Sequence, residues 1–212
     1  MTPIDAIQSD LARFLEGLGF RSRERAFNRP TDDGLTQVVE LELARVDASR
    51  RRPIPGLDES HTGSFSVSLG VLVPEIFRRD FDRERPEFSY AKDCAIRVDL
   101  GALGPEKREL WWLVALHDEV SKEVVQRLDR DGLPFLERLE SREAIVARWR
   151  DDPSLRRDGR APYVVAGILV EQGRRDEARR VMEESVAGLR DLKTAESYSA
   201  LSEKLGLGPI PF

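Results

Sequence analysis

The stretch Ser64-Phe65-Ser66-Val67-Ser68-Leu69-Gly70-Val71-Leu72-Val73 decides the predicted fold of this chain. Apolar residues occupy its odd positions, and serine or glycine occupies its even positions up to Gly70. This period of two predicts a strand with a buried apolar face and a face of small residues. Because small side chains leave a shallow trough, we expect larger side chains or a ligand to occupy the even face beside Ser66 and Ser68.

Composition sets the broad class. The chain has 212 residues, 40% of them apolar and 34% charged, which is enough for one large domain or two small ones. The net charge of −5 argues against a dedicated nucleic-acid binder, because such domains are usually strongly basic. The N-terminal residues lack the pattern of a signal peptide, and no apolar run is long enough to span a bilayer. We therefore expect a cytoplasmic, soluble protein without membrane contacts.

The first residues predict a helix that covers the apolar face of the sheet. Thr2 is a capping residue, Pro3 lies in the first turn, and Asp5 puts negative charge near the helix N-terminus. Apolar side chains then recur at helical spacing and form one stripe, at Ile4, Ile7, Leu11, Phe14, Leu15 and Leu18.

Three further segments predict strands, at residues 20–29, 37–46 and 94–100. In the last of them, Cys94 falls on the same apolar face as Ile96 and Val98. The connections are too short or too irregular for crossover helices, so we expect an antiparallel sheet of about four strands.

From Asp118 onward the pattern is helical. Ser141 is a predicted N-cap, a helical hairpin turns at Gly173, and Thr194 is predicted to cap a last helix. We therefore predict an α+β protein, with an α+β sheet domain at 1–117 and a helical region at 118–212. The two parts form either separate domains or one continuous domain.

Common catalytic motifs are absent from the sequence. It contains no G-x-S-x-G elbow, no glycine loop that cradles phosphate and no H-E-x-x-H helix. The single cysteine, Cys94, excludes an intramolecular disulfide and a cysteine-based zinc site, and its apolar neighbours indicate a small buried hydrophobe. We expect no cofactor and no metal.

The long connection at 46–63 is the one place where the sequence suggests acid–base chemistry. It carries Asp58, Glu59 and His61, which on a closing loop could form the site of a hydrolase-type enzyme together with the polar face of the sheet. The simpler interpretation is a solvated polar loop.

Arg21, Arg23 and Arg25 alternate, so on one strand they would share a face. Such a stripe could bind an anion or, together with the arginines at 50–52, nucleic acid. The simpler interpretation is a solvated sheet face on which the arginines pair with Glu40 and Glu42 of a neighbouring strand.

Trp111 and Trp112 are adjacent, so their side chains point in different directions. One is expected in the core and the other on the surface as an anchor for a partner, for which Trp112 is the candidate. The full set of candidate binding residues is Arg21, Arg23, Arg25, Glu40, Glu42, His61, Ser66, Ser68 and Trp112.

The order of several short motifs resembles a known family. Leu18-Gly19-Phe20-Arg21, then Gln37-Val38-Val39, then the Ser64–Val71 strand precede a later strand at 96–101 and the tryptophan pair. This order resembles the domain of unknown function 4304 family, a group of uncharacterised bacterial proteins, over about residues 5–140. Arg21 stands where the family usually has lysine. The resemblance implies the same layout of helix and strands, and it implies no activity.

The predicted function rests on which candidate functional residues the sequence provides and on the lack of a catalytic set among them. A long charged connection and a spare tryptophan, without a convergent catalytic set, favour a non-catalytic protein-interaction module whose partner is another protein. Immunity proteins and regulatory proteins have this profile. The alternatives are the hydrolase-type enzyme and the arginine-stripe nucleic-acid binder.

Overall fold

The computed structural model describes residues 2–44, 63–105, 107–152, 160–187 and 192–210. The strands are β1 (Arg21–Arg23), β2 (Ala26–Pro30), β3 (Thr36–Leu43), β4 (Ser64–Leu72), β5 (Ile96–Asp99) and β6 (Trp112–Leu113). The helices are α1 (Pro3–Glu16), α2 (Pro74–Phe81), α3 (Leu100–Leu103), α4 (His117–Arg127), α5 (Leu133–Glu137), α6 (Arg142–Asp151), α7 (Ala161–Glu171), α8 (Arg175–Val186) and α9 (Leu192–Lys204). Short 3₁₀ turns lie at Ala91–Asp93 and Val114–Leu116, and a π turn lies at Leu128–Gly132.

The predicted α+β class is confirmed: an antiparallel sheet with an N-terminal helix and a helical C-terminal half. No helix within these ranges has the length and apolar character needed to cross a membrane.

Two compact units contain these elements. One comprises Met1–Pro30, Thr36–Val71 and Glu87–Glu137, and the other comprises Thr31–Leu35, Leu72–Pro86 and Arg138–Phe212. The division at residue 117 predicted from the sequence marks where helices begin to predominate, and as a domain boundary it stays a prediction.

The predicted N-terminal helix is confirmed, including its cap. The Thr2 N–H donates to Asp5 Oδ2 at 2.8 Å, and the Asp5 N–H donates to Thr2 Oγ1 at 3.4 Å, which forms a capping box. Ile7, Leu11 and Leu15 are fully buried along one stripe, and α1 packs against α4. Local chemistry therefore starts this helix, and burial of its stripe holds it in place.

The sheet has the order β1-β2-β3-β4-β5, with β6 beside β4. Six strands replace the predicted four because residues 20–29 form a hairpin rather than one extended segment, and because β6 is an additional short strand. The hairpin pairs Arg21 with Asn28 and Arg23 with Ala26, and it turns at Glu24, whose φ of 53° is in the left-handed region. The prediction of one strand here was wrong. The turn was not recognisable in the sequence, because no Asn-Gly or Asp-Gly pair marks it.

β4 is buried on both faces. All nine residues from Ser64 to Leu72 are buried, and larger side chains occupy the even face, which is one of the two occupants expected there: Arg97 donates to Ser68 Oγ and Cys94 packs on Gly70. On the odd face, Leu69 lies near Gly132 of the π turn. The same apolar side of the sheet is tied to α5 by Gln37, which donates from Nε2 to the Leu136 carbonyl at 2.8 Å.

The second unit is built around α7. Eight consecutive residues, 162–169, are buried, and α7 packs against α2, α6, α8 and α9. A Cβ added at Gly167 would overlap Ile76 Cδ1 of α2, so glycine permits this close approach of the two helices.

A buried ion pair joins three segments of this second unit. Glu75 of α2 is 2% exposed, and its two carboxylate oxygens accept from Nε and Nη2 of Arg142 at 2.7 and 2.8 Å. The Arg142 guanidinium also donates to the Asp33 carbonyl, and the Arg142 N–H donates to Asp33 Oδ2 at 2.6 Å. The predicted Ser141 cap of α6 is confirmed, with Ser141 Oγ accepting from the Ala144 N–H at 3.2 Å.

A second polar cluster surrounds Asp80, whose oxygens accept from Tyr163 Oη at 3.0 Å, Lys204 Nζ at 2.9 Å and the Arg160 guanidinium.

The predicted cap at Thr194 was wrong, because α9 already begins at Leu192. Beyond α9, Arg179 of α8 donates to the carbonyls of Leu207 and Pro209, which holds the chain end along α8 as far as it is described.

Candidate binding surface

Residues 87–93 lie over the small-residue face of the sheet and alternate between buried and outward-facing side chains. Ser89 and Ala91 are buried, Phe88 and Tyr90 are half-buried, and Lys92 is exposed. One side of this segment therefore packs on the sheet, and the other side presents two aromatic rings and a cation.

Two strands anchor the segment through its backbone. Asn28 of β2 donates from Nδ2 to the Ser89 carbonyl at 2.8 Å and accepts from the Ser89 N–H at Oδ1 at 2.7 Å. Glu40 of β3 accepts from the Ala91 N–H at Oε2 at 2.6 Å. Because these donors and acceptors are buried or half-buried, each would be costly to leave unpaired. The segment is therefore held rigidly at two points.

Burial raises the pKa of Glu40, with a smaller contribution from the charge of Glu42, while the hydrogen bond from Ala91 opposes both. Glu40 is thus a backbone anchor whose carboxylate is already engaged. Because it is bonded to the backbone of the segment, the Glu40 carboxylate is not a free acid–base group.

Cys94 packs on Gly70 of β4. A Cβ added at Gly70 would lie 2.6 Å from Cys94 Sγ, so only glycine leaves room for the thiol. The expectation that Cys94 shares a face with Ile96 and Val98 was wrong, because β5 begins at Ile96 and a 3₁₀ turn rotates Cys94 onto the opposite face. Burial raises the pKa of the thiol far above its ordinary value, which keeps it protonated and unreactive.

The outward side of the segment combines aromatic rings with cations. Phe88 and Tyr90 meet edge to face with centroids 5.9 Å apart, and Lys92 Nζ lies 5.7 Å from the Tyr90 centroid. Arg23 of β1 brings its Cζ within 6.0 Å of the Phe88 centroid, and Arg21 lies on the same face two residues earlier. We name Arg21, Arg23, Phe88, Tyr90 and Lys92 the arginine–aromatic surface.

The expected pairing of the arginines with Glu40 and Glu42 does not occur. Both glutamates lie on β3, and β2 separates that strand from β1. Glu42 instead accepts from Arg97 Nη2 of β5 at 2.6 Å. Arg25 lies in the hairpin turn and not on the strand, so the predicted three-arginine stripe is reduced to Arg21 and Arg23.

The remaining candidates occupy different places. Ser66 and Ser68 are buried, and Ser68 Oγ accepts from Arg97 at 3.1 Å. Trp112 is only 6% exposed, with its ring centroid 5.8 Å from that of Phe65, so the prediction of a surface anchor there was wrong. His61 lies outside the described residues, together with the arginines at 50–52 and the carboxylates at 58 and 59.

Phe88, Tyr90 and Lys92 were missed by the sequence reasoning. Their signal was the short alternation Phe88-Ser89-Tyr90-Ala91-Lys92, in which large and small residues take turns. That alternation indicates one packed side, but the segment is not a strand and ends in the 3₁₀ turn Ala91–Asp93, and the pattern does not indicate which surface the segment covers.

Within the described ranges, no group of three or more histidine, cysteine or acidic side chains could hold a metal ion. Comparisons of the chain with protein-family models, with curated proteins and with solved structures found no match.

Proposed function

We propose that this protein is a non-catalytic protein-interaction module that binds its partner through the arginine–aromatic surface. The observation that carries the proposal is the contact of exposed cations with outward-facing rings, Arg23 on Phe88 and Lys92 on Tyr90. Arginine and tyrosine are among the residues that contribute most binding energy at protein interfaces. A cytoplasmic location is part of this proposal.

The rigid backing of the surface supports a binding role. The segment that carries the rings is fixed by Asn28 and Glu40, so its backbone has little conformational entropy to lose when a partner binds. A surface that is already ordered loses less free energy on association than a flexible loop does.

The charge of the surface indicates the kind of partner. Arg21, Arg23 and Lys92 are exposed, and none of them has an ion-pair partner in the part of the chain that the structure describes. A partner with an acidic surface would supply the missing charges. Neutralisation or regulation of a target protein would need only this binding and no further chemistry from the chain.

The experiment uses the double variant Arg21→Glu/Arg23→Glu and a matched control, Arg13→Glu/Arg180→Glu. The control replaces two exposed arginines on α1 and α8, so it changes the net charge equally and leaves the arginine–aromatic surface intact. Purified proteins encoded by neighbouring genes are mixed with each form and run on a size-exclusion column. We expect a complex with the wild type and the control, and none with the surface variant.

Absence of any complex across that set, or a complex that survives the surface reversal, overturns the proposal. Filter binding of single-stranded and double-stranded nucleic acid over a salt series covers the alternative. A steep loss of affinity with salt that depends on Arg21 and Arg23 would replace the protein partner by nucleic acid.

A further inference from the structure

Resting on the proposed function, we infer that β1 accepts an acidic extended segment of the partner as an added strand, with acidic residues at every second position. This inference concerns the chemistry and spacing of the partner, and it follows from the backbone of β1 and from the side chains that flank it.

β1 is the terminal strand of the sheet, and one edge of it carries no described strand. The Leu41 N–H donates to the Arg25 carbonyl at 2.9 Å, so the backbone of Arg25 points toward β3. Backbone directions alternate along a strand, so those of Ala26 and Asn28 point toward β1. The residues opposite them, Arg23 and Arg21, therefore point back toward β2.

Ser22, between the two arginines, then directs its N–H and its carbonyl away from β2. These two groups are the donor and acceptor that an incoming strand needs, and Ser22 is exposed. One residue offers two hydrogen bonds, so the backbone contributes specificity of alignment rather than high affinity.

Side chains supply the rest of the recognition. In an added strand, residues opposite Arg21 and Arg23 would lie on the same sheet face as these arginines, with Cβ atoms about 5 Å away. Acidic residues at these two positions would pair with the two guanidinium groups, and their spacing would be two residues. Phe88 and Tyr90 line the same face beside Arg23.

The intervening position faces the other side of the sheet, where acid is disfavoured. Ser22 Oγ donates to Glu16 Oε1 at 2.8 Å, which places a carboxylate next to the site of the intervening residue. An acidic residue there would repel Glu16, whereas threonine would be tolerated. The surface therefore favours alternating Glu-Thr over consecutive glutamates.

The test uses synthetic peptides with the wild-type protein. The peptide Glu-Thr-Glu-Thr-Glu-Thr is compared with Glu-Glu-Glu-Thr-Thr-Thr, which has the same composition and charge, by fluorescence anisotropy. We expect the alternating peptide to bind about tenfold more tightly, and Arg21→Glu/Arg23→Glu to weaken its binding by at least about tenfold. The Arg13→Glu/Arg180→Glu control should bind it like the wild type.

A backbone probe separates strand addition from simple charge attraction. N-methylation of the threonines removes the amides that lie opposite Ser22 in antiparallel pairing, and N-methylation of the glutamates removes amides that point away. We expect only the first peptide to lose binding, and amide exchange at Ser22 to slow when the unmethylated peptide is bound. Equal binding of the alternating and block peptides, or equal tolerance of both methylation patterns, overturns the added strand.

The two proposals fail separately. If a protein partner binds through Arg21 and Arg23 while the peptides bind without regard to spacing, only the strand addition is wrong. If the alternating peptide binds as described while no protein complex depends on these arginines, the strand site exists and the proposed function is wrong.

Discussion

Replacement of Asn28 tests whether the arginine–aromatic surface is held in place by the sheet. The Asn28 side chain is 6% exposed and bonds both the N–H and the carbonyl of Ser89. Asn28→Ala removes both bonds and leaves two backbone groups without partners. An unsatisfied buried group costs about 1–3 kcal/mol, so the expected loss in the free energy of unfolding is about 2–4 kcal/mol after partial hydration of the gap. Urea denaturation followed by circular dichroism measures it.

Asn28→Asp gives a second, pH-dependent reading of the same contact. At neutral pH the introduced carboxylate still accepts from the Ser89 N–H, but it faces the Ser89 carbonyl with no proton to donate. When the carboxyl is protonated in acid, its O–H can restore that bond. Because the folded state then favours the protonated form, the stability deficit relative to wild type should be largest at neutral pH and shrink as the pH falls toward about 4.

The local readout is amide exchange at residues 88–92, which should accelerate in Asn28→Ala more than exchange in α1. Wild-type stability in Asn28→Ala, or an Asn28→Asp deficit that does not change with pH, would refute the reasoning. In either case the rings of Phe88 and Tyr90 would be fixed by something other than the amide of Asn28.

Three further predictions concern the second unit. Gly167→Ala should lower the free energy of unfolding by about 1–3 kcal/mol because the new methyl overlaps Ile76, offset by about 1 kcal/mol of improved helix propensity, and Ile76→Val should lower it by about 0.5–1.5 kcal/mol. The double variant should regain near wild-type stability, because Cγ1 of residue 76 would lie 3.7 Å from the new methyl. Additive losses would contradict this. Arg142→Met should lower the free energy of unfolding, measured by chemical denaturation, by about 3–5 kcal/mol, because it leaves the buried carboxylate of Glu75 without its ion-pair partner. The double variant Arg142→Met/Glu75→Gln should lose less, and equal losses would argue against the ion pair as the cause. Burial raises the pKa of Asp80, but hydrogen bonds and nearby cations outweigh it and hold the pKa below its ordinary value, so the stability that Asp80 contributes is present above about pH 4 and is lost as the pH falls. The difference in the free energy of unfolding between wild type and Asp80→Asn should therefore narrow in acid. A constant difference would count against this.

Much of the fold could be predicted because its elements carry local signals. The cap at Thr2, the alternation in β4, the Ser141 cap and the turn at Gly173 each depend on residues close together in sequence. The hairpin at Glu24 could not be predicted, since a glutamate in the left-handed region carries no turn signal.

The candidate site was predicted only in part. Arg21 and Arg23 were found because their spacing places them on one face of a strand. Phe88, Tyr90 and Lys92 were not found, because nothing near them in sequence indicates which surface their segment covers. Adjacency of Trp111 and Trp112 cannot decide which ring is buried, and only the packing of Trp112 against Phe65 shows that Trp112 is not the exposed one.

The sequence by itself determined that Ser64–Leu72 is a strand with a face of serines and glycine, because a period of two is a local property of the chain. Only the tertiary structure decided what lies on that face. Asn28 and Ser89 are 61 residues apart, and Cys94 reaches Gly70 from a different segment. Contacts of this kind depend on which distant segment best fills the small-residue face and pairs its buried polar groups, and that competition leaves no signal in the strand itself. The arginine–aromatic surface is therefore built on the small-residue face of the sheet, and the sequence did not identify which segment covers that face.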